Sequence, residues 1–127
     1  MTRELPPIIE DLWYSIDWDV PTLWALDLPK TMLPMERLIW HLDVPVWPDP
    51  DDVPYRVTPR QVIENPSLHA REIARVDAAD LAFPIEVILR GDDWMILDGI
   101  HRMTKAWRDG ATEISARIVP DDAVRHL

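Results

Sequence analysis

The sequence predicts one domain of mixed helix and strand, carried behind an irregular, acidic N-terminal arm. Three observations point there. The chain has 127 residues, enough for one domain with a sizeable core. Eleven of its 13 prolines lie between Pro6 and Pro66, whereas all three glycines, Gly91, Gly99 and Gly110, lie in the last third. Charge divides in the same way: residues 1–55 hold 11 acidic and 3 basic side chains, and residues 56–127 hold 12 and 10. The net charge of −10 therefore belongs mostly to the Pro-rich half.

Residues 1–34 read as the arm, because proline recurs too often there for long helices. Trp13, Trp18 and Trp24 are large apolar groups expected to find burial, so the arm is expected to wrap the domain; an aromatic partner-binding arm is the alternative. Residues 35–127 are the predicted domain. In residues 37–47, Leu38, Trp40, Leu42 and Val44 alternate with Ile39, His41 and Asp43, the pattern of a strand, and Pro45 suggests its end or a sheet edge. Residues 48–54 form an acidic, Pro-rich loop. Thr58-Pro59-Arg60-Gln61 is a helix start with a capping-box spacing, and Asn65-Pro66 ends that helix early. A second helical stretch is expected from Ser67 to Val76, and a helical turn over 77–83 stops before Pro84.

The last third reads more sharply. Ile85, Val87 and Leu89 alternate, Gly91-Asp92-Asp93 signals a turn, and Trp94 to Asp98 forms the second arm of a β-hairpin. Ile100, Met103 and Trp107 fall on one face of a helix from Ile100 to Asp109, and Gly110 is placed to stop it. Ile114 to Val119 is a closing strand, and Pro120 ends it.

Composition excludes several classes. At 47% hydrophobic the chain is too apolar for disorder. It has no apolar run near the roughly 18 residues of a membrane span, and its first residues lack a signal peptide's apolar core. With no Cys there is no disulfide framework, thiolate metal site or Cys nucleophile. A cytoplasmic location is the expectation. An acidic isoelectric point near 4.6 argues against a free-standing nucleic-acid backbone binder. The seven tryptophans read as core rather than a base-stacking surface, because no basic stripe accompanies them.

The chemistry gathers at Leu97-Asp98-Gly99-Ile100-His101-Arg102, a strand-turn-helix junction. Free N–H groups at a helix start attract anions, Gly99 permits close approach of a ligand to the backbone, and Arg102 offers a fork that matches phosphate oxygens. His101, Lys105 and Arg108 can share one helix face. Gly99, Ile100, His101, Arg102 and Lys105 are therefore the candidate phosphate-binding residues. Asp98 does not suit a pure anion site: it either caps the helix, holds a metal such as Mg²⁺, or takes a proton. Weaker candidates are His41 with Asp43, read as a metal or proton-shuttle pair or as a strand edge, and Arg71 with Arg75, read as a basic patch or a solvated helix face. His69 opens that stretch, and His126 reads as an inert tail residue.

At this junction the chain resembles the ParB N-terminal/sulfiredoxin superfamily. The resemblance is carried by Pro84-Ile-Glu-Val-Ile88, by the run from Trp94 through Asp98-Gly-Ile-His-Arg102 to Gly110, and by Ile114 to Val119, with Asp77-Ala-Ala-Asp-Leu81 similar to the acidic turn that often precedes the Pro-Ile strand. It spans roughly residues 69–120 and is closest to short members with an Asp-Gly-x-His-Arg loop. It implies an α+β fold: a ParB/sulfiredoxin-like small mixed sheet with flanking short helices. It also implies a loop aimed at a nucleotide's phosphates, with Asp98 and His101 as catalytic candidates, Asp98 as the metal ligand, and a nucleotide of the ATP or CTP class with Mg²⁺ as cofactor. Ile100 stands where sulfiredoxins carry their Cys, which excludes sulfinic-acid reduction. The expected function is binding of a nucleotide or phosphorylated metabolite, with phosphoryl transfer or nucleotide hydrolysis as the implied reaction. The alternatives are a non-enzymatic module whose arm binds a protein partner, and ParB-like nucleic-acid processing, which the charge disfavours.

Overall fold

The structure, a computed structural model, describes residues 20–120. Trp13, Trp18 and His126 lie outside them. The fold is α+β, with one four-stranded sheet: β1 (Lys30–Pro34), β2 (Ile85–Arg90), β3 (Asp93–Asp98) and β4 (Glu113–Ile118), in the order β1-β4-β2-β3. β1 runs antiparallel to β4, β2 antiparallel to β3, and β2 parallel to β4, so the sheet is mixed. Among the described residues the α-helices are α1 (Val20–Ala25), α2 (Pro59–Glu64), α3 (Ala70–Ala78) and α4 (Ile100–Arg108).

Local chemistry accounts for the boundaries. Gly91, at φ +61°, turns the β2–β3 hairpin. At the start of α2 the Thr58 hydroxyl accepts the Gln61 N–H at 3.1 Å, and the Gln61 carbonyl oxygen accepts the Thr58 N–H at 2.8 Å, which closes the predicted capping box. α4 stops as expected: Gly110 sits at φ +87°, its N–H reaches the Trp107 carbonyl at 3.0 Å, and the Ala111 N–H reaches the Ala106 carbonyl at 2.9 Å, a Schellman motif. α3 begins at Ala70 rather than Ser67, because the Leu68 and His69 N–H groups bond to the carbonyls of Asn65 and Pro66 in tight turns.

Two predicted elements change. Residues 37–47 are not a strand. Met35–Arg37 and Ile39–Asp43 form consecutive 3₁₀ turns, and Trp47 makes only an isolated bridge to Val57. A three-residue repeat stacks Leu38, His41 and Val44, and all three are buried. The true first strand, β1, lies in the segment read as arm and pairs along its length with β4. Only Leu33 of β1 is buried, and Pro34 is tolerated because β1 is the sheet edge.

Apolar side chains cover both sheet faces. On one, Ile85, Val87, Ile96, Ile114 and Ala116 pack with Met103 and Ala106 of α4 and with Leu38 and Leu42 of the 3₁₀ turns. On the other, Ile88, Met95, Leu97 and Val119 pack around Leu23 of α1. A third cluster, Trp47, Val57, Val62 and Val76, joins α2 and α3. Each fully buried Leu or Ile here contributes about 1.5–3 kcal/mol over leaving it exposed.

His41 sits inside this core. Its Nδ1–H donates to the Leu38 carbonyl at 2.8 Å, and its Nε2 accepts the Ile96 N–H at 3.0 Å, which fixes the neutral tautomer and ties the 3₁₀ turn to β3. Burial pushes its pKa down to about 4 against the opposing backbone hydrogen bond. Asp43 points outward to Arg60 at 2.7 Å, and that hydrogen bond lowers its pKa. The His41–Asp43 pair is thus split between core and surface, and it forms neither the metal pair nor the strand edge the sequence suggested.

Candidate ligand-binding cleft

Where β3 hands over to α4, the chain must turn sharply under the start of β2. Gly99 makes the turn at φ +108°, and a Cβ there would lie 2.7 Å from Ile85 Cγ2 and 3.2 Å from Ile85 Cα. Only glycine suits both the dihedral and the space. Beside this turn opens a cleft of about 710 Å³, whose lining includes Asp98, Gly99, His101 and Arg102 with Arg75, Glu86 and Arg117. That volume is in the usual range for small-molecule sites.

Asp98 does not cap α4. The N-cap is Gly99, with no side-chain cap bond. The Asp98 carboxylate instead accepts two bonds on Oδ2, from Arg102 Nη2 at 2.9 Å and from Trp24 Nε1 at 2.8 Å. Arg102 also donates through Nη1 to the Pro84 carbonyl at 2.5 Å. Both partners of this ion pair are largely screened from water, with side chains 16% and 25% exposed. Arg102 is thereby fixed between β3, α4 and the turn before β2.

The shared face of α4 is real, but its partner is α3. His101 Nε2 lies 2.9 Å from Glu72 Oε2, and its ring stacks on Trp47 with centroids 4.4 Å apart. Lys105 Nζ donates to the carbonyls of Asp77 and Ala79, at 3.1 and 2.9 Å, which satisfies acceptors at the end of α3. Arg108 Nη1 meets Asp77 Oδ1 at 2.5 Å. So Lys105 and Arg108 fasten two helices together and do not line the cleft, whereas His101 does both. The half-buried Ile100 side chain packs into the core and does not line the cleft.

A row of charge crosses the sheet beneath. In register, Asp98 of β3 faces Glu86 of β2, and Glu86 faces Arg117 of β4. Glu86 is 3% exposed. Its Oε1 lies 3.5 Å from Arg117 Nη1, and its Oε2 is buried with no hydrogen-bond partner. Arg117 Nη2 donates to the Leu26 carbonyl, which anchors the segment after α1. Burial, and next the neighbouring Asp98 carboxylate, push the Glu86 pKa up against the pull of Arg102 and Arg117.

Sequence reasoning passed over Glu86, Arg117 and Trp24 as site residues. A signal for Glu86 was present: an acidic residue between Ile85 and Val87 in an otherwise apolar strand. Arg71 and Arg75 do not make a joint patch. Arg71 pairs with Asp52 at 2.9 Å, and Arg75, 3.4 Å from Glu72, lines the cleft. Trp24 was expected to be buried and is 57% exposed, because it turns its Nε1 to Asp98 instead of entering the core.

Among the described residues no helix is long and apolar enough to cross a membrane, and no three His, Asp or Glu side chains gather as a metal-binding group. No protein-family model, no curated protein and no solved structure matches the chain.

Proposed function

We propose that the cleft at the β3–α4 junction binds the phosphate of a nucleotide or phosphorylated metabolite. The observation that carries this reading is that three arginines, Arg75, Arg102 and Arg117, line one cleft together with Gly99, which starts a nine-residue helix. The first amides of that helix have no intrahelical partner, and the helix dipole adds positive potential at the same point. Gly99 and Ile100 serve through backbone N–H, Arg102 is held in place by Asp98 and the Pro84 carbonyl, and the more exposed Arg75 supplies further charge. The similarity of Asp98-Gly-Ile-His-Arg102 to the ParB/sulfiredoxin loop supports the same reading.

Asp98 Oδ2 already carries two donors, one of them a cation, so a metal at Asp98 would have to be held through Oδ1. The role of Asp98 in this proposal is to orient Arg102 and Trp24. The proposal is one of binding, and it assigns no step of phosphoryl transfer.

Titration calorimetry of the full chain with AMP, ribose 5-phosphate and adenosine tests it. A saturable signal for a phosphorylated compound is expected, with at least roughly tenfold weakening in Arg75→Ala, the scale of one lost charge-assisted contact. Absence of binding by either phosphorylated compound, or equal binding of adenosine and AMP, overturns it.

A further inference from the structure

Of the seven Trp, Tyr and Phe rings among the described residues, Trp47 is buried, Trp40, Trp94, Trp107 and Tyr55 are half-buried, and Trp24 and Phe83 are exposed. Trp24 and Phe83 are 57% and 64% exposed, and both line the same cleft. They come from distant parts of the chain, Trp24 from α1 and Phe83 from the turn before β2. Neither is left over from a failed core. Leu23, next to Trp24, is fully buried, so α1 is seated on the core while Trp24 faces outward. Phe83 is set by the Asp80 turn, where the Asp80 carboxylate accepts the Ala82 N–H at 2.9 Å and the Asp80 carbonyl accepts the Phe83 N–H at 3.2 Å.

We propose that Trp24 and Phe83 form an aromatic clamp that takes the planar base of a nucleoside phosphate. This rests on the phosphate-binding reading above and selects nucleotides from the broader class of phosphorylated metabolites. Large apolar rings exposed at a cleft with arginines are what a base-and-phosphate ligand covers: stacking takes the base, and guanidinium groups and helix amides take the phosphate. The Nε1 bond to Asp98 holds the Trp24 indole by its edge, so the ring is oriented before a ligand arrives. Glu86, another residue of the cleft lining, keeps its Oε2 buried and without a hydrogen-bond partner beneath the site.

The test compares AMP and CMP with ribose 5-phosphate, which keeps the phosphate and sugar and lacks the base. The expected result is at least tenfold tighter binding of AMP or CMP, a preference that Trp24→Ala and Phe83→Ala each erode by roughly tenfold, with ribose 5-phosphate binding constant in Phe83→Ala. Trp24→Phe keeps a ring and retains the preference, but loses the tryptophan fluorescence change on binding. Thermal melts of each variant confirm folding, and Phe83→Ala, remote from α1, serves if Trp24→Ala unfolds. Equal affinity for all three compounds overturns the clamp and leaves the phosphate reading standing. Binding of none overturns both.

Discussion

Acid should loosen this protein through one side chain, His41. In the folded chain the neutral ring donates to Leu38 and accepts from Ile96, and a proton on Nε2 would replace an acceptor with a donor facing the Ile96 N–H. The folded pKa of about 4 lies below the ordinary value of 6.5, so the folded state resists protonation that the unfolded chain accepts. The stability from this group is therefore fully present above pH 6.5 and is lost as pH falls through 6.5 towards 4. The full span is about 3 kcal/mol, and between about pH 7.5 and pH 5 the loss is about 2 kcal/mol. Urea unfolding of the native chain and of His41→Gln at both pH values isolates the effect, since every other titrating group is common to both. Gln keeps an acceptor near Ile96 and cannot titrate. The variant is less stable at the higher pH, and the gap narrows by about 2 kcal/mol at the lower one. Parallel pH dependences of the two proteins would refute the assignment of a buried neutral His41.

Further outcomes follow from the cleft. Gly99→Ala imposes a side chain on a φ of +108° and brings a Cβ to 3.2 Å from backbone at Ile85, so urea unfolding should show a loss of roughly 2–4 kcal/mol. Glu86 is the reverse of His41 in sign. Its pKa is raised above the ordinary 4.5, so its favourable contribution is present below that value and is lost as pH rises through the folded pKa. Glu86→Gln should therefore gain thermal stability relative to the native chain between acid and neutral pH, and a constant difference across that range would count against a desolvated carboxylate there.

The sequence was most legible where local chemistry alone decides structure. The Thr58 capping box, the Gly91 hairpin and the Gly110 helix stop each need only a few adjacent residues, and each stands as predicted. Residues 37–47 were misread because apolar side chains at alternate positions also satisfy a 3₁₀ turn when the polar His41 goes inward, and its burial depends on Ile96, which lies far along the chain. β1 was invisible because an edge strand that buries one residue carries no period-two signal. The strand-turn-helix geometry at Asp98–Arg102 forms as predicted, but the contacts within it are set by distant partners. Lys105 and Arg108 were available to any anion until α3 took them, and Asp98 was a plausible cap until Arg102, four residues on, and Trp24 claimed its oxygen. The Asp-to-Arg spacing of four was the one local clue to that pair.

The strand order bears on how the molecule comes into being. β1, near the start of the described chain, finds its partner only in β4, near its end, and the Trp24–Asp98 and Arg117–Leu26 bonds also span most of the chain. During synthesis the β1 segment stays unpaired until β4 has been made. The hairpin and α4 close few residues and form early; the seam between β1 and β4 closes a long loop and forms last. Because α1 lies just before that seam, Trp24 reaches Asp98 and the cleft as the sheet edge is sealed, and a nascent chain that has not finished zipping has the Arg102 side of the cleft without the Trp24 wall.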